Sequence, residues 1–143
     1  MMRKPTLLLL CLLPAITVLC QEIMNLDSLL KLVPEAKKDS GAVNLYISIG
    51  QQYENNEPQT AKAWYQASLD LSRQVGYSAG IIRSISNYTY ILNMKGLYDS
   101  SLVLNSQAVA IARTTKDTLS LAKALFNTGT SYRMLSQFDN AIR

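Results

Sequence analysis

Leu125, Thr128, Gly129 and Tyr132 stand at i, i+3, i+4 and i+7, the spacing that places side chains on one face of an α-helix. Ile85, Tyr88, Thr89 and Leu92 keep the same spacing earlier in the chain, and Tyr46, Ile49, Gly50 and Tyr53 keep it earlier still. Each of these faces precedes a second helical pattern. The first has Ala61, Tyr65, Ser68 and Leu69; the next has Leu102, Asn105, Ala108, Val109 and Ala112. Polar breaks separate the two patterns: "ENNEPQT", "NMKGLYDS" and "LSQFDN". Pro58 suits a first helical turn, where its missing N–H is no loss, and Gly96 suits a helix stop. Asp139 has the side chain of an N-cap. Upstream, Leu26, Leu29, Leu30 and Val33 predict a short amphipathic helix ended near Pro34, and Asp39 or Ser40 can cap the helix that follows.

The pattern predicts an all-α fold, and it repeats. Ala61, Ser101 and Ala141 recur every 40 residues, as do Leu71 and Ile111, and Arg73 and Arg113. A fixed period of about 20–50 residues is the signature of stacked supersecondary units. Each unit here is an antiparallel helix pair, with Gly or Ala where the helices cross so that the axes can approach, and a large residue of the partner filling the hollow. These windows resemble the tetratricopeptide repeat family, whose pattern runs W-x2-L-G-x2-Y, then A-x3-F, then P. The first window matches at Tyr46, Ile49, Gly50, Tyr53, Ala61 and Tyr65; the third at Leu125, Thr128, Gly129, Tyr132 and Ala141. The second is looser, with Ile85, Tyr88, Thr89, Leu92, Ser101 and Asn105, and Ala108 further along its second helix. The resemblance implies a right-handed α-solenoid over residues 42–143, with two full repeats and a truncated third. Residues 21–41 would supply an N-terminal capping helix and linker, of the kind solenoid ends need for solubility. Two departures stand out: the period is 40 rather than 34, and the closing proline is absent. The surplus is expected in "RQVGYSAG" and "RTTKDTLS", as longer second helices and longer loops to the next repeat. The final "FDNAIR" reads as a second helix cut short. That would leave the helix of residues 123–135 without its partner and Leu125, Phe126, Met134 and Leu135 exposed.

The first twenty residues are a separate segment. Arg3 and Lys4 precede an apolar run from Leu7 to Leu19, short for the ~20 residues that span a bilayer. Length and flanks predict a cleaved signal peptide, residues 1–20, leaving Gln21 first. The competing reading, lipidation of Cys20, is disfavoured by Thr17 and Leu19, where such signals want Leu and a small residue. Both cysteines, Cys11 and Cys20, lie in this leader, so a cleaved chain carries no disulfide or thiol chemistry. Export to a periplasmic or other extracytoplasmic compartment is the expected localisation.

Composition narrows the function. The net charge is +4, and setting aside Arg3 and Lys4 halves it, with no basic cluster among the repeats; nucleic acid is not expected as a partner of this region. Contact with a membrane is expected only through the leader or a downstream segment. The chain has no histidine, no Gly-rich phosphate loop and no metal-ligand spacing, so neither catalysis, a cofactor nor a metal is expected. Asn87-Tyr88-Thr89 fits a glycosylation acceptor but lies within a predicted helix and is read as coincidence. One constellation has the look of a binding surface. Arg83, Asn87 and Tyr90 share one face of a first helix, and Lys123, Asn127 and Thr130 take the same three places forty residues on. In tetratricopeptide repeats the first helices line a concave groove, and some peptide-binding members use Lys/Arg and Asn there. The resemblance implies a ladder of cations and amides suited to an extended peptide or protein segment. The expected function is a non-catalytic interaction scaffold. The layout is similar to the extracytoplasmic sensor part of bacterial signalling proteins that carry a histidine kinase or a transcriptional regulator. The alternative is a free-standing periplasmic or envelope adaptor.

Overall fold

The computed structural model describes residues 25–136. The leader and the final residues, including Asp139 and Ala141, lie outside that range, as does the reading of a truncated third repeat. Among the described residues there are six α-helices, packed in sequence as antiparallel neighbours. They are α1 (Leu26–Leu32), α2 (Ser40–Tyr53), α3 (Pro58–Gln74), α4 (Ser78–Met94), α5 (Tyr98–Thr114) and α6 (Thr118–Met134). None is long and apolar enough to cross a membrane.

Local sequence sets the ends of these helices. The Asn25 side chain accepts the N–H of Ser28 and starts α1, which gives way to a 3₁₀ turn around Pro34. Asp39 accepts the N–H groups of Gly41 and Ala42 at the start of α2, as its short carboxylate predicts. Pro58 opens α3. Asp117 caps α6 through the N–H of Ser120.

From α3 onward the helices follow a 20-residue rule. Each is 17 residues long, and each joins the next through three residues. The surplus over a 34-residue period therefore does not lengthen the loops, as the sequence reading expected; it sits in the helices. The cause is one helix stop used four times. Gly76, Gly96, Lys116 and Ser136 all have positive φ, at 68°, 72°, 55° and 59°. At the first three, the N–H of the residue after reaches back to a carbonyl five residues earlier: Tyr77 to Ser72 (2.9 Å), Leu97 to Leu92 (2.9 Å) and Asp117 to Ala112 (3.1 Å). This is the Schellman closure, which satisfies carbonyls that the helix end would orphan. Glycine takes that conformation without strain, whereas Lys116 and Ser136 do so at a cost.

Two apolar clusters form the core. One joins Ala42, Val43 and Ile47 of α2 to Ala61, Tyr65 and Leu71 of α3 and Ile91 of α4, with Tyr46, Tyr53 and Tyr88 packed partly buried against it. Tyr46 also meets Trp64 edge-on, ring centroids 5.3 Å apart. The other joins Leu69, Ile82 and Ile85 to Ala108, Ala112 and Ala124. The small-residue crossing is realised at Gly50, where an added Cβ would lie 2.5 Å from Cε1 of the fully buried Tyr65. In the next pair the corresponding place holds Thr89, whose hydroxyl bonds Asn105 across the crossing (3.3 Å). Other buried hydroxyls also link helices: Ser68 to Ser84 (2.7 Å) and Ser131 to Ser101 (3.1 Å). Among the described residues no buried side-chain polar atom lacks a partner, so these groups do not carry the penalty of unmet hydrogen bonds. At the other end Leu29 of α1 is buried and α1 packs against α2.

Leu125, Phe126 and Met134 are exposed, as expected of this helix, whereas Leu135 is half-buried. Leu125 is 46% exposed, although its counterpart Ile85 is fully buried. The face of α4 that carries Ile85 is covered by α3 and α5, whereas among the described elements α6 packs chiefly against α5 and less against α4. Gly129 and Tyr132, on the same face as Leu125, are half-buried for the same reason, while Leu92 and Ala108 are buried as expected.

Candidate ligand-binding cleft

Helices α2, α4 and α6 are alternate members of the series, so they run in the same sense, and α4 contacts both α2 and α6. A cavity of about 590 Å³ opens between them. Gln51 and Glu54 line it from the end of α2, Ser86, Asn87 and Tyr90 from α4, and Ala122, Lys123, Phe126 and Asn127 from α6. A second cavity of about 380 Å³ adjoins it toward the N-terminal ends of α4 and α6, sharing Gln51, Ser86, Asn87 and Lys123 and adding Arg83, Leu119 and Ser120. The two make one continuous cleft, within the size range of ordinary ligand sites.

Five of the six residues singled out from the sequence line this cleft. Asn87, Tyr90, Lys123 and Asn127 face the larger cavity, and Arg83 the smaller one. Arg83 is anchored across the helices: its Nη1 donates to Oδ1 of Asn44 at 2.6 Å, a neutral partner that leaves its positive charge uncompensated. Asn44 stands one repeat earlier in the same register, so the row reads Asn44, Arg83, Lys123 across the three helices. The sixth residue, Thr130, does not line either cavity. Its hydroxyl donates to the Phe126 carbonyl of its own helix (3.0 Å), the back-bonding open to threonine inside helices.

Sequence reasoning missed Glu54, Gln51, Ser86 and Phe126. Phe126 is 75% exposed. Its exposure was expected from a missing partner helix, but it faces the cleft instead. The signal was present: Phe126 stands forty residues after Ser86, beside Asn87 and Asn127 in the same row. Glu54 is held from beneath. The hydroxyl of buried Tyr65 donates to its Oε1, which leaves the carboxylate at the rim of the cavity. Burial, the Glu54 bond and the nearby Glu54 charge together push the Tyr65 phenol far above its ordinary value, so it stays a neutral donor at physiological pH. Tyr90 lies close enough to Tyr65 to add to that shift. At the foot of α6, hydrogen bonds from the Ser120 side chain and backbone hold the Asp117 carboxyl below its usual range.

The cleft offers two side-chain amides, two exposed aromatic surfaces and charges of both signs. Among the described residues no cluster of three His, Cys, Asp or Glu side chains could hold a metal. A scan of the chain against protein-family models and a search of curated proteins each found no significant match.

Proposed function

We propose that this chain is a non-catalytic scaffold of the tetratricopeptide type, a right-handed α-solenoid that binds an extended peptide or protein segment in the cleft of α2, α4 and α6. The observation that carries the reading is that Asn87, Lys123 and Asn127, from two successive repeats, line a single cavity. Amides repeated on adjacent parallel helices can pair with successive peptide groups of an extended ligand, which otherwise loses its bonds to water. The leader residues Arg3 and Lys4 and their apolar run support an exported location, and with it a role as the extracytoplasmic sensor part of a larger bacterial signalling protein.

Selection of random twelve-residue peptides, displayed with fused termini, tests the binding role. Peptides selected on the wild-type chain should bind the double variant Asn87→Ala/Asn127→Ala at least about fivefold more weakly, since each bond to peptide is worth roughly 0.5–1.5 kcal/mol. Unchanged affinity would remove the cleft as the site. For the location, mass spectrometry of the exported product should find Gln21 or a neighbour at the N-terminus; an intact Met1 on a cytoplasmic product would contradict export.

A further inference from the structure

The cleft carries opposite charges at its two ends, and the side chains that bear them do not meet. Among the described residues the only ion pair is Arg73 with Asp70, well away from the cleft on α3. Glu54 and Lys123 therefore line one cavity without neutralising each other. The carboxylate end is also the aromatic end. Tyr90, 47% exposed, lies next to the Tyr65–Glu54 bond, and Phe126, 75% exposed, forms part of the same wall. A carboxylate beside two aromatic surfaces suits a cationic side chain, which gains charge attraction and cation–π contact together. The other end, with Arg83 and Lys123, suits an acidic one.

Resting on the reading of the cleft as a peptide site, we propose that its ligand is a dipolar peptide segment: a Lys or Arg side chain seated at Glu54, Tyr90 and Phe126, with an Asp or Glu three residues away seated at Arg83 and Lys123. The spacing comes from the helix. Arg83 and Tyr90 are seven residues apart on α4, which is about 10 Å along the axis. A flat β-strand puts residues three apart on opposite sides. A polyproline II strand has three residues per turn and a rise of about 3.1 Å each, so residues three apart share a side at about 9 Å. The cleft thus selects both the charge pattern and the backbone form. The charge-poor middle, at Ser86, Asn87 and Asn127, meets the backbone between them.

The test uses a defined probe, an N-acetylated, C-amidated octapeptide with Asp at its third place, Pro at its fourth and fifth, and Lys at its sixth. Its binding to the full chain is measured by fluorescence anisotropy through a dye on the first residue. The companions move Lys one place nearer or farther, replace it with norleucine, or replace Asp with Asn. The probe should bind at least about fivefold tighter than each companion. Glu54→Gln keeps an acceptor for Tyr65, and Phe126→Ala alters an exposed side chain, so both should fold. Each should remove the preference for Lys over norleucine while leaving the preference for Asp over Asn. Equal binding of probe and companions, or a Lys preference that survives Glu54→Gln, overturns the proposal. The two readings fail separately: library peptides that depend on Asn87 and Asn127 but lack the charge pattern overturn this inference alone, whereas an empty library selection overturns the peptide site as well.

Discussion

Replacing Gly50 with Ala probes the crossing on which the helix pairing rests. An alanine Cβ there would sit 2.5 Å from Cε1, 2.8 Å from Cδ1 and 3.0 Å from Cζ of Tyr65. Ordinary contact needs close to an ångström more, so the ring or the helix has to move. The ring has little freedom: Tyr65 is fully buried, and its hydroxyl is tied to Glu54. Overpacking of this kind costs about 1–3 kcal/mol. Displacing the ring also strains a hydrogen bond to a charged group, worth about 1.5–3 kcal/mol if lost. Against this, Ala in place of Gly in a helix interior gains about 1 kcal/mol. The net expectation is a loss of about 1–3 kcal/mol, or a melting point lower by roughly 4 °C for each kcal/mol. Urea unfolding followed by circular dichroism measures it. The double variant Gly50→Ala/Tyr65→Leu should show the alanine costing nothing once the ring is gone, a coupling that only direct contact explains. A Gly50→Ala protein as stable as wild type, or more so, would refute the crossing.

Other consequences follow from the same geometry. Lys116→Gly relieves a left-handed residue and should raise stability by about 0.5–1 kcal/mol, whereas Gly96→Ala should lower it by about 1 kcal/mol, both read from urea midpoints. Asn105→Ala removes a buried side chain that bonds Thr89 and Ser101 and should cost about 1–3 kcal/mol in the same assay. The raised phenol of Tyr65 implies a pH dependence with a definite sign. Below pH 10 both folded and unfolded phenols are protonated; above it the unfolded chain loses the proton that the folded chain keeps, so stability falls. Tyr65→Phe should therefore lose its disadvantage against wild type as the pH rises from 9 to 11, by up to about 1.4 kcal/mol per unit above pH 10.

Helix existence and pairing were legible because the relevant residues mark them directly. Asp39, Pro58 and Gly96 set helix ends by chemistry that is local to a few residues. Ala61 and Gly50 marked crossings because only small residues fit there. Lys116 and Ser136 hid the other two stops, since nothing in a lysine or serine announces a left-handed backbone; only the 20-residue spacing from Gly76 and Gly96 does. In the cleft, the periodic rows brought out Asn87, Lys123 and Asn127, which line one cavity. The bond from Arg83 to Asn44 was missed because the row was not carried back to α2. Glu54 was missed for a different reason. It enters the cleft through the turn after α2 and the Tyr65 hydroxyl beneath it, a contact made across the helix pair that no single-helix periodicity reports.

The most direct test of the account is to map where a selected peptide binds. Amide chemical shifts of the isotope-labelled chain, followed as the peptide is added, report the site without altering any residue. Shifts concentrated at Ser86, Asn87, Tyr90, Lys123 and Asn127, with α3 and α5 quiet, are the predicted result. Shifts centred on α3 and α5, with Asn87 and Asn127 unmoved, would contradict it.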